Sequence, residues 1–177
     1  LNGFTRTEIN YIHSILLNHL VKVDPEVTMK IANSIWLNDL FSYQEAFADT
    51  NRYYYQAQMN SLDFSDPGSV DVINNWVDEK TNGKITEVLD QIPTEAVMYL
   101  INALYFYGNW TYQFDENEGF QIKFNYKDGT AAMVDAMSMT SDLQLYENNA
   151  FKMIELPYGN KKYSMLLVVP EQAYEVE

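Results

Sequence analysis

"INALYFYGNW", Ile101–Trp110, is the stretch that decides the fold of this chain. Six of its first seven residues are apolar or aromatic, Asn102 sits among them, and the run closes on Gly108-Asn109-Trp110. It belongs to a longer, near-continuous apolar segment, "EAVMYLINALYFYGNW", over 95–110. Continuity of that kind predicts a strand covered on both faces. A buried asparagine amide must find partners or cost on the order of 1–3 kcal/mol. Asn102 therefore raises the question of why an amide stands in the longest apolar run of the chain.

Upstream the pattern changes from helical to alternating and back. Residues 5–22 place Ile9, Ile12, Leu16 and Leu20 at helical spacing behind a Thr5/Glu8 capping box, and Asp24-Pro25 stops the helix. "VTMKIANSIWL" (27–37) alternates, with Val27, Met29, Ile31, Ile35 and Leu37 on one face and Asn33 among them. A short helix over 43–55 and a strand over 57–64 follow. Pro67 opens a helix whose buried stripe is Ile73, Trp76, Val77 and Lys80, and Asn82-Gly83 closes it. "KITEVLDQI" (84–92) predicts a further helical turn or two before Pro93.

Downstream the chain reads as β. Phe120, Ile122, Phe124 and Tyr126 alternate, and Lys127-Asp128-Gly129 forms a hairpin turn into "TAAMVDAMSM" (130–139). Met133, Met137 and Met139 fall at strand spacing and are expected to pack in the core. "LQLYEN" and "AFKMIELPY" form a second hairpin about Asn148-Asn149, and "KYSMLLVVP" predicts another buried strand. Helices interleaved with strands and then a long run of β make the class α+β, with antiparallel sheets dominating the second half.

Composition narrows the function classes. The chain has 177 residues, 47% of them hydrophobic, enough for one sizeable core. A net charge of −14 argues against nucleic acid and against anionic membrane surfaces. Cysteine is absent, which excludes disulfides, thiol nucleophiles and thiolate metal sites. No stretch is long and apolar enough for a transmembrane helix. The opening "LNGFTRTEIN" has no initiator Met and no apolar signal region, so a fragment or processed product is expected.

Catalytic apparatus is hard to find. His13 and His19 are spaced six apart, on different helix faces, and make a poor metal pair. Asp115, Glu116 and Glu118 do not match a calcium loop, and a solvated acidic loop is expected. No phosphate-binding glycine loop and no nucleophile elbow occurs, and nothing calls for a metal or a cofactor. Asn109-Trp110-Thr111 matches a glycosylation sequon but sits against a strand end, where it is a poor acceptor. The residues by themselves favour a binding or structural protein over an enzyme.

The segments nevertheless resemble one family. "INALYFYGNW" is similar to the serpin signature on the third strand of the large sheet A, through Asn102, Ala103, Tyr105, Phe106, Gly108 and Trp110. "INNWVDEKTNGKI" resembles the serpin helix F pattern, with Asn74, Trp76, Thr81, Gly83 and Lys84 in matching positions. "KIANSIWL" is similar to strand 2A, and "KMIELPYGNKKYSMLLVVP" to paired strands of sheet B. The matches run in serpin order over essentially the whole chain. The resemblance implies a serpin-like α+β fold with parts of sheets A, B and C. It also implies that Asn102 belongs to the polar "shutter" under sheet A. Gly108 and Trp110 would lie at the "breach", where a reactive loop begins to insert.

The implied mechanism is a stored-strain trap. A serine or cysteine protease cleaves an exposed loop, the loop enters sheet A as an extra strand, and the acylated protease is dragged along and distorted. The molecule is a suicide substrate, driven by the free energy of insertion. The alternative is a non-inhibitory serpin acting as a carrier, chaperone or other binding protein. A complete serpin is about twice this length, so the chain is expected to be its central part, residues 1–177 of one domain, without the early helices and the reactive loop. Unpaired apolar strands would then be completed by the remaining serpin polypeptide, as a second chain or by strand exchange. Asp135 and Ala136 depart from the family's usual run after the hairpin. Residues 5–22 carry only Arg6 and Lys22 as basic residues, so heparin binding through them is not expected. An extracellular location is expected.

Overall fold

The computed structural model describes residues 3–171, in two compact units. One holds the residues up to Val23 with Thr28–Tyr107, and the other holds Asp24–Val27 with the residues from Gly108 onward.

The first unit begins with α1 (Arg6–Leu20), β1 (Val27–Asn38, most of which lies here), α2 (Glu45–Tyr55) and β2 (Ala57–Leu62). It continues with α3 (Gly68–Lys80) and β3 (Met98–Gly108, all but its last residue here). The capping box at the head of α1 is complete, with Glu8 N donating to Thr5 Oγ1 at 3.3 Å and Thr5 N to the Glu8 carboxylate at 2.7 Å. The Thr5 hydroxyl and amide hold the Glu8 carboxyl below its ordinary value. The apolar stripe of α1 is less covered than its spacing predicts, for Ile12 and Leu16 remain about half exposed.

The sheet of this unit has the order β2-β1-β3, with β1 and β2 parallel and Asn33 opposite Ala57. That order corrects the expectation for 95–110. The middle strand is β1, whose last five residues, Ser34–Asn38, are all buried. β3 lies at the sheet's end and buries only Ala103, leaving Leu100 70% exposed. A continuous apolar run says that a strand can be covered on both faces, but the neighbour that covers it is set by sheet order. The core lies between α3 and the sheet: Trp36, Phe64, Ile73, Trp76, Val77 and Ala103. Trp36 and Trp76 meet edge to face at 6.2 Å.

Helix α3 ends as its sequence predicts. Asn82 and Gly83 both take positive φ (53° and 73°), and Gly83 N donates to the Asp78 carbonyl at 2.9 Å. The helix expected over 84–92 is not formed. Asn74 on α3 holds that segment in a non-helical course: its Oδ1 accepts from Val88 N (2.9 Å) and Leu89 N (3.1 Å), and its Nδ2 donates to Leu89 O (2.8 Å). A side chain that supplies one acceptor and one donor to the backbone competes directly with helix formation. Asn74→Ala leaves two backbone donors unpaired, and the expected loss is about 2 kcal/mol of stability. The midpoint of urea unfolding checks it, and Asn74→Asp, which keeps the acceptor, is expected to lose less.

The second unit contains the short 3-10 turn Glu116–Glu118, the hairpin β4 (Phe120–Asn125) with β5 (Ala131–Ala136), and the sheet β6-β7-β8. In that sheet β6 is Leu145–Glu147, β7 is Phe151–Tyr158 and β8 is Tyr163–Pro170, all antiparallel. The first hairpin turns on Gly129 at φ +84°, with Asp128 Oδ1 accepting from Thr130 N (2.9 Å) and Thr130 Oγ1 (2.6 Å). Asp115 caps the 3-10 turn, its Oδ1 accepting from Asn117 N at 2.8 Å.

Two expectations fail in this unit. Met133 and Met137 are not core residues, and the strand expected over 163–170 is not buried, since Leu166, Val168 and Val169 are each more than half exposed. A two-stranded hairpin and a terminal strand present apolar faces that period-two patterning reveals but does not cover.

Candidate functional site

Two constellations stand where the sequence places its marked residues. The first is a relay of polar side chains in the first unit. Asn102 on β3 donates from Nδ2 to Asn33 Oδ1 on β1 at 2.9 Å, with the Ala32 carbonyl at 3.5 Å. Asn33 Nδ2 donates onward to the Tyr55 carbonyl at the end of α2 (2.7 Å), and Tyr55 OH donates to Asn10 Oδ1 on α1 (2.8 Å). Four elements are thus tied by successive hydrogen bonds. The relay flanks a cleft of about 300 Å³ lined by Ile35, Asn51, Tyr55 and Leu100 beside Asn33 and Asn102.

Asn102 is exposed rather than buried, which corrects the premise of its reading, because β3 is the end strand. Its amide is partnered all the same. Asn33 carried a readable signal, an amide inside an otherwise apolar alternation. Asn10 and Tyr55 carried none, since 45 residues separate them. His13 is a packing residue, its ring 4.6 Å from that of Tyr55.

The residues of the α3 pattern are also accounted for. Trp76 is 7% exposed and donates from Nε1 to Gln58 Oε1 at 2.9 Å. Thr81 is buried, donates to the Val77 carbonyl (2.8 Å) and accepts from Ile85 N (3.0 Å). Gly83 supplies the left-handed turn, and Lys84 is exposed at its end.

The second constellation surrounds Trp110 in the second unit. Its ring stacks on that of Tyr158 at 4.3 Å and 17°, and the two residues form an antiparallel bridge. Thr111 N donates to Pro157 O (2.8 Å), Thr111 Oγ1 to Gly159 O (2.8 Å), and Gly159 N to Asn109 O (3.0 Å). The sequon threonine is therefore engaged with backbone. A Cβ on Gly108 would stand 3.0 Å from Val27 Cγ2 and 3.4 Å from Tyr158 Cδ1, so this glycine permits close approach of two neighbours.

Beside this junction lies Asp24, which the sequence offered only as a helix stop. It is 3% exposed. Burial pushes its carboxyl up, but the N–H donors of Glu26, Asn160 and Lys162 outweigh burial and hold it below its ordinary value of 3.8. A depressed carboxyl contributes stability that is present above the unfolded value and lost as pH falls through the lower folded one. The turn at 159–162 is therefore expected to loosen on acidification below 3.8 and to be pH-independent from 5 to 7. Amide exchange at Asn160, corrected for intrinsic rates, checks it.

Among the described residues no helix is long and apolar enough to cross a membrane. A family model described as Serpin (serine protease inhibitor) matches residues 3–177. Serpin-Z10 of Arabidopsis thaliana is 33% identical over 153 residues, covering 82% of this chain and 40% of that protein. Serpin B11 of Homo sapiens is 30% identical over 168 residues, covering 90% of this chain and 43% of that protein. The thermophilic serpin tengpin in its native state superposes with a TM-score of 0.86 at 29% identity, covering 99% of this chain and 45% of that one. The chain spans less than half the length of each of these relatives.

Proposed function

Because the chain belongs to the serpin family, we propose that it works as the central part of a protease trap, a suicide substrate of a serine or cysteine protease and not an enzyme. The observation that supports this most directly is the bond from Asn102 to Asn33 at 2.9 Å, a side-chain tie between adjacent strands β3 and β1. A hydrogen bond between neutral amides is worth about 1 kcal/mol net. A tie of that size holds strands in register and still yields when a further strand enters.

In this reading Asn102 is the shutter residue, and Gly108 and Trp110 form the breach. Asn74, Trp76, Thr81, Gly83 and Lys84 fasten α3 and the segment after it. No residue of the chain is assigned to the reactive loop. The partners are the target protease and the remaining serpin polypeptide, supplied as a second chain or by strand exchange. Heparin is not a partner through residues 5–22, where α1 carries Arg6 as its sole arginine or lysine. An extracellular site of action belongs to this reading, with an intracellular one as its alternative.

The test is incubation of the natural protein with serine and cysteine proteases, followed by a denaturing gel and intact mass. The expected result is an adduct that survives denaturation and contains both polypeptides. Plain cleavage with no adduct would overturn the trap and leave the carrier or chaperone reading. Intact mass also identifies what accompanies the 20.6 kDa chain.

A further inference from the structure

The carboxylate of Asp24 and the ring of Trp110 are joined through one turn. Asp24 Oδ1 accepts from Glu26 N (3.0 Å) and Asn160 Nδ2 (3.2 Å), and Oδ2 from Asn160 N (2.8 Å) and, at longer range, Lys162 N (3.4 Å). Three of these four donors belong to a turn 136 to 138 residues further along the chain. The turn begins at Gly159, with φ +43°, and a Cβ there would stand 2.9 Å from Glu26 Cβ and 3.1 Å from both Asp24 oxygens. The backbone is thus seated directly on the carboxylate, and a glycine is required for it to sit so close.

Gly159 in turn grips both neighbours of Trp110. Its N–H donates to Asn109 O at 3.0 Å, and its carbonyl accepts the Thr111 hydroxyl at 2.8 Å. The residue before it, Tyr158, carries the ring on which Trp110 stacks. Lys161, within the same turn, directs its ammonium to Tyr112 OH at 2.7 Å and over that ring at 4.8 Å.

We propose that Asp24 is a positioning residue for Trp110: by clasping the turn at 159–162 it fixes Gly159, and through Gly159 the backbone on either side of the indole. The functional weight of this rests on the reading of Trp110 as the breach. A loose clasp would leave the entry point of the inserting strand ill-defined while the polar relay at Asn102 stayed intact.

The experiment compares the full chain with Asp24→Ala and Asp24→Asn, by amide exchange and by hydroxyl-radical labelling read by mass spectrometry. Loss of the clasp is expected to speed exchange at Asn160 by about tenfold. The diagnostic readouts are at groups that make no hydrogen bond to Asp24. Exchange at Gly159 and Thr111 should rise, and indole oxidation should rise at Trp110 but not at Trp36 or Trp76, which serve as internal references. Asp24→Asn keeps the side-chain volume with one acceptor oxygen and should give an intermediate response at the same positions.

Faster exchange confined to Asn160 and Lys162, with Trp110 unchanged, would overturn the proposal. So would a parallel rise at all three tryptophans in both variants, which would make Asp24 a general stability residue. If Asp24→Ala does not fold, the asparagine variant decides on the same criteria. None of these readouts involves a protease. Absence of a denaturation-resistant adduct would therefore remove the breach reading and leave the coupling of Asp24 to Trp110 standing.

Discussion

Trp76→Ala is expected to move the urea unfolding transition of the chain at 25 °C, followed by far-UV circular dichroism, to much lower denaturant, by far the largest shift of any single substitution in this cluster. Trp76 is 7% exposed and packs edge to face against Trp36, itself 3% exposed. Truncating a buried tryptophan costs about 3–5 kcal/mol, because the cavity left behind relaxes only in part. A domain of ordinary stability has about 5–15 kcal/mol in total. The loss is sharper here because the cluster is small: Trp36, Phe64, Ile73, Val77 and Ala103 are its other fully buried members. The hydrogen bond to Gln58 contributes less, since Gln58 is exposed and water replaces the indole donor. Trp76→Phe separates the two effects. It keeps an aromatic ring in the site, and it is expected to displace the transition to lower urea by a smaller amount. A cooperative transition in Trp76→Ala close to that of the unmodified chain would show that this cluster does not carry the stability of its unit.

What the sequence made legible was local. The Thr5/Glu8 box, the Asn82-Gly83 stop and the Asp128-Gly129 hairpin each depend on residues a few positions apart, and all three form as their chemistry predicts. The family pattern around Asn102 and Trp110 was legible for the same reason, since it sits in one contiguous run. Sheet order was not legible. The apolar run at 95–110 belongs to an end strand, and the doubly covered strand is β1, whose alternation predicted a single buried face.

Distance along the chain accounts for the remaining errors. The segment 84–92 has helical periodicity, but Asn74, 14 and 15 residues earlier, offers its backbone a better set of partners. Asp24 before Pro25 reads as punctuation at the end of α1. Its partners at Asn160 and Lys162 become visible only once β7 and β8 have folded back. A carboxylate that satisfies backbone donors leaves no periodic trace in a sequence, whereas a stripe of leucines does.

By itself at micromolar concentration, the chain is expected to elute as a multimer, and Leu166→Lys with Val168→Lys is expected to restore the monomer. Among the described residues β8 pairs with β7 and is the outer strand of its sheet. Leu166 and Val168 share one face of it and are 56% and 53% exposed. An exposed apolar strand at the edge of a sheet is a template for another strand. The opposing force is the net charge of −14, which repels like copies. That repulsion reaches only about 8 Å at 0.15 M ionic strength, so added salt should increase association, the reverse of what an ion-paired contact would do. Lysine at 166 faces Glu155 across the pair of strands, so the substitution adds a favourable cross-strand pair while charging the face. Light scattering after gel filtration, at two salt concentrations, decides the matter. A monomer at both would show that the face of β8 does not recruit a partner, and the strand-exchange part of the proposed function would go with it.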